Sequence, residues 1–278
     1  MKNGQRTILL VIAAGLAATP VAPARAADAS AWVEDSHSAF RLIAGANKAS
    51  ATLLRAGIEI KMPPGWHTYW RYPGDSGVPP RFDFAGSDNL AAAKVLYPIP
   101  HLYRDEGGNT IGYKDAVTIP LQVTPKQPGK PVKLHVKLDY AVCDKLCVPA
   151  QGSAELMLSP GASAQDAALA AAEARVPKPV SAESAGLTVK RVNGGAKPLV
   201  MLDLPAPAGE DVQVFVEGPT PEWALPIPKP APGAPAGHRQ FGFELDGLPP
   251  GFDPKGHFEL TFTIIEGGRP LEVKTRLD

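Results

Sequence analysis

The sequence predicts an all-β protein of two sandwich domains joined by a short helix and a proline-rich linker. Thirty-one prolines and 27 glycines are scattered through 278 residues, and they cut the chain into segments too brief for helices but suited to strands. Those segments alternate apolar and polar residues, as half-buried antiparallel strands do. About 250 residues follow an N-terminal leader, which is large for one sandwich and comfortable for two of roughly 100 each.

The leader comes first. Lys2 and Arg6 precede an apolar run from Ile8 to Ala18, and Ala24-Arg25-Ala26 offers a small-x-small cleavage site before Ala27. This pattern reads as a secretory signal peptide over residues 1–26. The run is too short for a stable membrane anchor, and no other stretch approaches the roughly 20 apolar residues a spanning helix needs. Export to an oxidising compartment permits a disulfide. Removal of Lys2, Arg6 and Arg25 leaves 25 basic against 28 acidic residues, a net charge of about −3. Neither nucleic acid nor an anionic membrane is indicated as a partner.

The first sandwich is assigned to residues 27–160, with strands around Ala49 to Ile60, Pro80 to Phe84, Lys94 to Leu96, Ala116 to Val123, Val132 to Val142 and Ser153 to Leu158. Residues 161–185 form the joint. Ser163 reads as an N-cap with Asp166 three residues on, opening an alanine-rich helix to Arg175, and Val176-Pro177-Lys178-Pro179-Val180 reads as linker. The second domain, 186–278, repeats the strand pattern in Leu187 to Val192, Leu199 to Leu204, Val212 to Glu217, Gln240 to Leu245, His257 to Glu266 and Leu271 to Leu277. Six strands in about 90 residues fit an immunoglobulin-like sandwich. The stretch between Pro219 and Gly237 holds seven prolines and is too proline-rich for a central strand; Trp223 inside it is expected to pin the loop to its own core.

Both cysteines of the chain, Cys143 and Cys147, lie between two predicted strands with three residues separating them. A disulfide there needs the chain to curl over Asp144-Lys145-Leu146. So small a ring stabilises by roughly 2 kcal/mol on the loop-entropy formula, against about 4.7 for a 100-residue loop, so it makes a poor staple. Spacing leaves three readings open: a passive local bond, an exchangeable redox pair, or, when reduced, two soft thiolates for Cu(I) in a copper-tolerance module, with His67 or His101 completing the site. The six histidines show no zinc-type spacing, and no catalytic triad, phosphate loop or nucleotide fingerprint is present.

Three motifs carry a resemblance. Tyr140-Ala141-Val142-Cys143-Asp144-Lys145-Leu146-Cys147-Val148-Pro149, Pro64-Gly65-Trp66-His67-Thr68-Tyr69-Trp70-Arg71 and Pro73-Gly74-Asp75-Ser76-Gly77 together resemble the periplasmic N-terminal domain of the DsbD/ScsB thiol:disulfide interchange proteins, over roughly residues 30–160. ScsB-type members also carry a second β-domain. The resemblance implies that Cys143 and Cys147 exchange with thioredoxin-fold periplasmic proteins without a cofactor, Cys147 forming the interprotein bond and Cys143 resolving it. It carries over an acidic pair, Asp105 and Glu106, and Tyr140 of the cysteine motif, as site residues. Long-type members continue into a membrane domain; none follows Leu271 to Leu277 here, which implies a separate membrane electron conduit. One departure stands out: Gly107-Gly108 replace the family's shielding aromatics, leaving that task to Tyr103, Tyr113 or Tyr69.

Overall fold

The computed structural model describes residues 27–75, 77–105, 108–192, 197–207 and 209–277; the leader lies outside them. The described residues are almost all β, in four sheets with one helix. Eleven strands make the first two sheets: β1 (Val33–Asp35), β2 (Ser38–Ala44), β3 (Leu54–Lys61), β4 (His67–Gly74), β5 (Arg81–Asp83), β6 (Leu90–Val95), β7 (His101–Asp105), β8 (Gly108–Lys114), β9 (Ala116–Pro125), β10 (Val132–Cys143) and β11 (Cys147–Leu158). One sheet runs β1-β2-β3-β9-β6 and the other β11-β10-β4-β8-β7, with β5 paired to β10.

Strand β10 shows why these sheets stack. Val132, Leu134, Val136, Leu138, Tyr140 and Val142 are buried against Phe40, Leu42, Ile58, Ile60, Ile119 and Leu121 of the facing sheet. The intervening Lys133, His135, Lys137 and Asp139 stay at least partly exposed, as the two-residue period of a strand with one buried face requires.

Helix α1 (Asp166–Ala174) docks through Leu169, which is wholly buried. Its seat is made by two glycines: a Cβ on Gly45 would lie 2.7 Å from Leu169, and one on Gly57 3.0 Å from it. Arg55 of β3 clamps the helix at both ends, bonding Asp166 at 2.5 Å and Glu173 at 2.6 Å. The expected cap is corrected here. The helix begins after Gln165 with no side-chain cap. The Ser163 hydroxyl instead donates to the Ala44 carbonyl and accepts from the Gln165 N–H, while Asp166 accepts from the Ala46 N–H and Arg55.

The remaining strands are β12 (Lys178–Val180), β13 (Thr188–Val192), β14 (Leu199–Pro205), β15 (Val212–Glu217), β16 (Lys229–Ala231), β17 (His238–Glu244), β18 (Phe258–Glu266) and β19 (Arg269–Leu277). They form sheets β12-β19-β18-β15 and β13-β14-β17-β16 around a core of Val200, Leu202, Phe241, Phe243, Leu260 and Phe262. Two short strands arise inside proline-rich stretches read as linker and loop. Both sit at sheet edges, where a proline forfeits no ladder bond that a central strand would need. Trp223 is buried against Phe252 and Phe258 and pins its loop as expected.

The two pairs of sheets touch along β4. Trp70, Ile111 and Tyr113 share a buried cluster with Phe215. Arg71 bonds Glu217 through two guanidinium nitrogens and Glu272 at 2.7 Å, and the Tyr72 hydroxyl donates to the Leu225 carbonyl.

Candidate redox site

The pairing of β10 with β11 places the cysteines. Their register runs without a break from Val132↔Leu158 to Cys143↔Cys147, so the last pair before the bend at Asp144-Lys145-Leu146 is the two cysteines themselves. They form a disulfide with Cα atoms 4.2 Å apart. The curl expected over the bend is the tip of a β-hairpin, and β11 begins at Cys147 rather than at Ser153.

The two sulfurs have different surroundings. Cys143 is 8% exposed and packs with Tyr69 and Ala141. Cys147 is exposed, as are the three bend residues, with Leu146 at 78%. The Tyr69 hydroxyl lies 2.9 Å from Cys147 Sγ; a disulfide sulfur has no hydrogen to give, so the tyrosine donates.

Neighbouring strands fix Tyr69. The Thr68 hydroxyl donates to the Ala141 carbonyl at 2.8 Å, tying β4 to β10 beside the cysteines. A Cβ on Gly77 would lie 2.6 Å from the Tyr69 ring, so the backbone comes this close to the ring because a glycine stands there. Asp75 is held in place: its Oδ2 accepts from the backbone and side-chain amides of Asn109, at 2.9 and 2.8 Å. Gly65 and Trp66 are held from the other side by Asp115, a non-glycine residue with φ 63°, whose carboxylate accepts from the Gly65 N–H and whose own N–H donates to the Trp66 carbonyl.

Across the sheet, Cys143 pairs with His67, and His67 with Lys114 of β8. His67 meets Tyr69 edge-on and stacks on Tyr103 at 5.7 Å. Burial pushes the Tyr103 phenol up, with Asp115 adding to it, and burial together with nearby Arg175 lowers His101. Of the three tyrosines considered as shields, Tyr69 touches the sulfur, Tyr103 covers His67, and the Tyr113 hydroxyl is turned to the Pro98 carbonyl.

Not every expected site residue is brought to the disulfide. Tyr140 stands three positions before Cys143, and an odd separation puts it on the opposite face of β10. Its hydroxyl bonds Ser38 at 2.7 Å and its ring meets Phe40 edge-on inside the sandwich. Asp105 ends β7 and pairs with Gly108 at the hairpin tip; Glu106 and Gly107 lie outside the described residues. Among the described residues no group of three or more His, Cys, Asp or Glu is placed to hold a metal. No described helix is long and apolar enough to cross a membrane.

Comparison with known proteins agrees with this geometry. Residues 34–159 match the family described as thiol:disulfide interchange protein DsbD, N-terminal. They form a domain of that family. The DsbD N-terminal domain here contains all eleven strands β1 to β11 bar the first residue of β1, and it holds the Cys143–Cys147 disulfide. The crystal structure of the N-terminal periplasmic domain of ScsB from Proteus mirabilis superposes with TM-score 0.70 at 20% identity, covering 90% of this chain and 98% of that one. That likeness shows a shared fold extending beyond the DsbD N-terminal domain. A marsupial T cell receptor aligns at TM-score 0.21 and 10% identity, too low to bear on the fold. No curated protein sequence matches the chain.

Proposed function

We propose that Cys143 and Cys147 form an exported redox relay that exchanges with thioredoxin-like thiol proteins in the periplasm. The observation that carries this reading is the asymmetry of the pair: Cys147 open to solvent with a tyrosine hydroxyl on its sulfur, Cys143 packed beneath. A structural bond needs neither feature.

In the oxidised domain a partner thiolate attacks Cys147 Sγ, the accessible sulfur. The Cys143–Cys147 bond breaks, its electron pair leaves on Cys143, and a mixed disulfide joins Cys147 to the partner. The partner's second thiolate then displaces Cys147, leaving the partner oxidised and the domain reduced by two electrons. In the opposite direction the Cys147 thiolate attacks a partner disulfide, and Cys143 attacks Cys147 Sγ to re-form the bond and release the partner dithiol. When Cys147 carries charge, the Tyr69 hydroxyl is placed to donate to it, which favours the thiolate. Residues 1–26 direct export, and the sandwich at 186–278 serves as spacer or docking surface.

The test is trapping. Cys143→Ser leaves Cys147 free to attack and nothing to resolve the product, so a disulfide-linked complex with a thioredoxin-fold protein is expected on a non-reducing gel. Equilibration of the unaltered protein with glutathione should give a potential above about −300 mV, the region below which structural disulfides lie. A potential well below that value, with no trapped complex, overturns the reading.

A further inference from the structure

A groove of about 840 Å³ opens beside the redox site. Its floor is the outer face of β3 and β9, one wall is β7 and β8 with His101, Tyr103 and Lys114, and the other is α1 with Arg175 just past its end. Cross-strand neighbours link the groove's wall to the disulfide. Tyr103 lines it and stacks on His67; Lys114 lines it and pairs with His67; and His67 pairs with Cys143.

The charge of the lining is one-sided. Arg41, Lys61, Lys114 and Arg175 supply four cations, and Glu59 is the one carboxylate among the lining residues. That carboxylate is held by Arg41 at 2.5 Å. Trp32 adds an aromatic face flanked by Lys61 at 4.3 Å and Arg41 at 4.6 Å from the ring centre. Lys61, Lys114, Arg175 and His101 are exposed. The mature chain is slightly acidic as a whole, so this concentration of cations is local. Close by, Asp115 lies between Lys114 and the groove's Ala116, but its carboxylate is engaged by the Gly65 N–H. His101 in the groove is lowered by burial first and by the Arg175 charge second.

We infer that this groove seats an acidic, extended segment of the thiol partner, next in sequence to the cysteine that attacks Cys147. The inference rests on the redox reading above and deepens it by assigning the partner's chemistry. A concave channel bounded by a hairpin and a helix fits an extended chain better than a flat lipid surface, and Trp32 and Tyr103 give such a chain apolar faces between its carboxylates. Electrostatic contacts of this exposed kind act chiefly on encounter and weaken as salt rises.

Two reduced cysteine peptides test it on the full-length protein, one carrying a run of glutamates beside the cysteine and the other glutamines. The readout is the rate of mixed-disulfide formation at low and high salt, with dithiothreitol as a neutral reference. The glutamate peptide is expected to react roughly tenfold faster at low salt, from a few exposed contacts of modest size each, and the advantage should vanish at high salt. The variant Lys61→Gln/Lys114→Gln/Arg175→Gln should lose that advantage while keeping its rate with dithiothreitol. Removing Lys190, Lys229 and Lys274 in the second pair of sheets should leave the advantage intact. Equal rates for the two peptides would overturn the proposal, and so would equal losses from the two triple variants, since net charge would then explain the effect. If dithiothreitol exchanges normally in those cases, the redox reading survives alone. If dithiothreitol fails to exchange as well, the redox reading falls and the groove assignment falls with it.

Discussion

Replacing Arg71 with methionine should uncouple the two pairs of sheets. Arg71 bonds Glu217 with two nitrogens at 2.8 and 2.9 Å and Glu272 at 2.7 Å, and its guanidinium lies 4.7 Å from the centre of Trp70. The side chains are 26%, 17% and 20% exposed, so they are mostly but not wholly dry. Removing one partner of a fully buried pair costs about 3–5 kcal/mol because the other charge is stranded, whereas exposed pairs are worth about 0–1. Here two carboxylates would be stranded facing each other, and partial exposure discounts the cost to about 3 kcal/mol. For a chain of this size that lowers the melting temperature by roughly 6–12 °C. Methionine keeps most of the apolar stem, so packing against Trp70 is largely retained. One control sharpens the test: adding Glu217→Gln and Glu272→Gln to Arg71→Met should recover most of the loss. Thermal unfolding followed by circular dichroism reads all of this. A loss below about 1 kcal/mol, unchanged by the glutamine pair, would refute the reasoning and mean that the contact along β4 carries little energy.

Two further outcomes follow from the site and from the second core. Tyr69→Phe removes a hydrogen bond available to a charged Cys147, worth about 1.5 kcal/mol or more, and should move the glutathione equilibrium about tenfold towards the disulfide. Tyr140→Phe should leave that equilibrium unchanged and cost only about 1 kcal/mol of stability, since its hydroxyl serves Ser38. Asp203 accepts from the Gln240 amide and lies 2.6 Å from His238, and these two hold its carboxyl below the usual range. Its stabilisation is therefore complete above the unfolded value near 3.9 and is lost as pH falls through the lower folded value. Asp203→Asn should lower stability at neutral pH, where the carboxylate's contribution is complete, and flatten the acid limb of the profile below about pH 4, where that contribution is already lost.

What the sequence made legible was set by periodicity. The strands from Ala116 onward alternate cleanly, and twelve of the observed strands overlap predicted ones. Those not read lack that alternation for definite reasons. β2 and the first half of β4 are buried on both faces, so their sequences carry no period-two signal. β7 and β8 form a polar hairpin rich in glycine and charge. β12 and β16 contain prolines, which sheet edges tolerate and composition alone reads as loop. Ser163 and Asp166 have the types and spacing of a cap, but tertiary partners on Ala44, Ala46 and Arg55 claim both side chains. At the site, the cysteine pair follows from its place between two strands. Tyr140 illustrates the limit of motif transfer: counting residues along β10 already separates its face from that of Cys143. Tyr69 was legible only as a shield, since its contact with Cys147 depends on how β4 registers against β10.

Strand β4 ties the chemistry to the rest of the molecule. In four consecutive residues it holds the Ala141 carbonyl through Thr68, the Cys147 sulfur through Tyr69, the Phe215 ring through Trp70, and Glu217 and Glu272 through Arg71. The hydroxyl that touches the reactive sulfur is thus one residue from a tryptophan that is 0% exposed and packs against Phe215 of the second pair of sheets. A protein cut near Pro160 would expose Trp70 and strand Arg71 without either glutamate. Loss of exchange in such a fragment would therefore report a displaced β4 as readily as a catalytic contribution from residues 186–278. Arg71→Met in the full chain separates the two, because it loosens the join while leaving every atom of the second half present. If exchange with dithiothreitol persists in that variant while stability falls, the second half supports the site through β4 and supplies none of its chemistry.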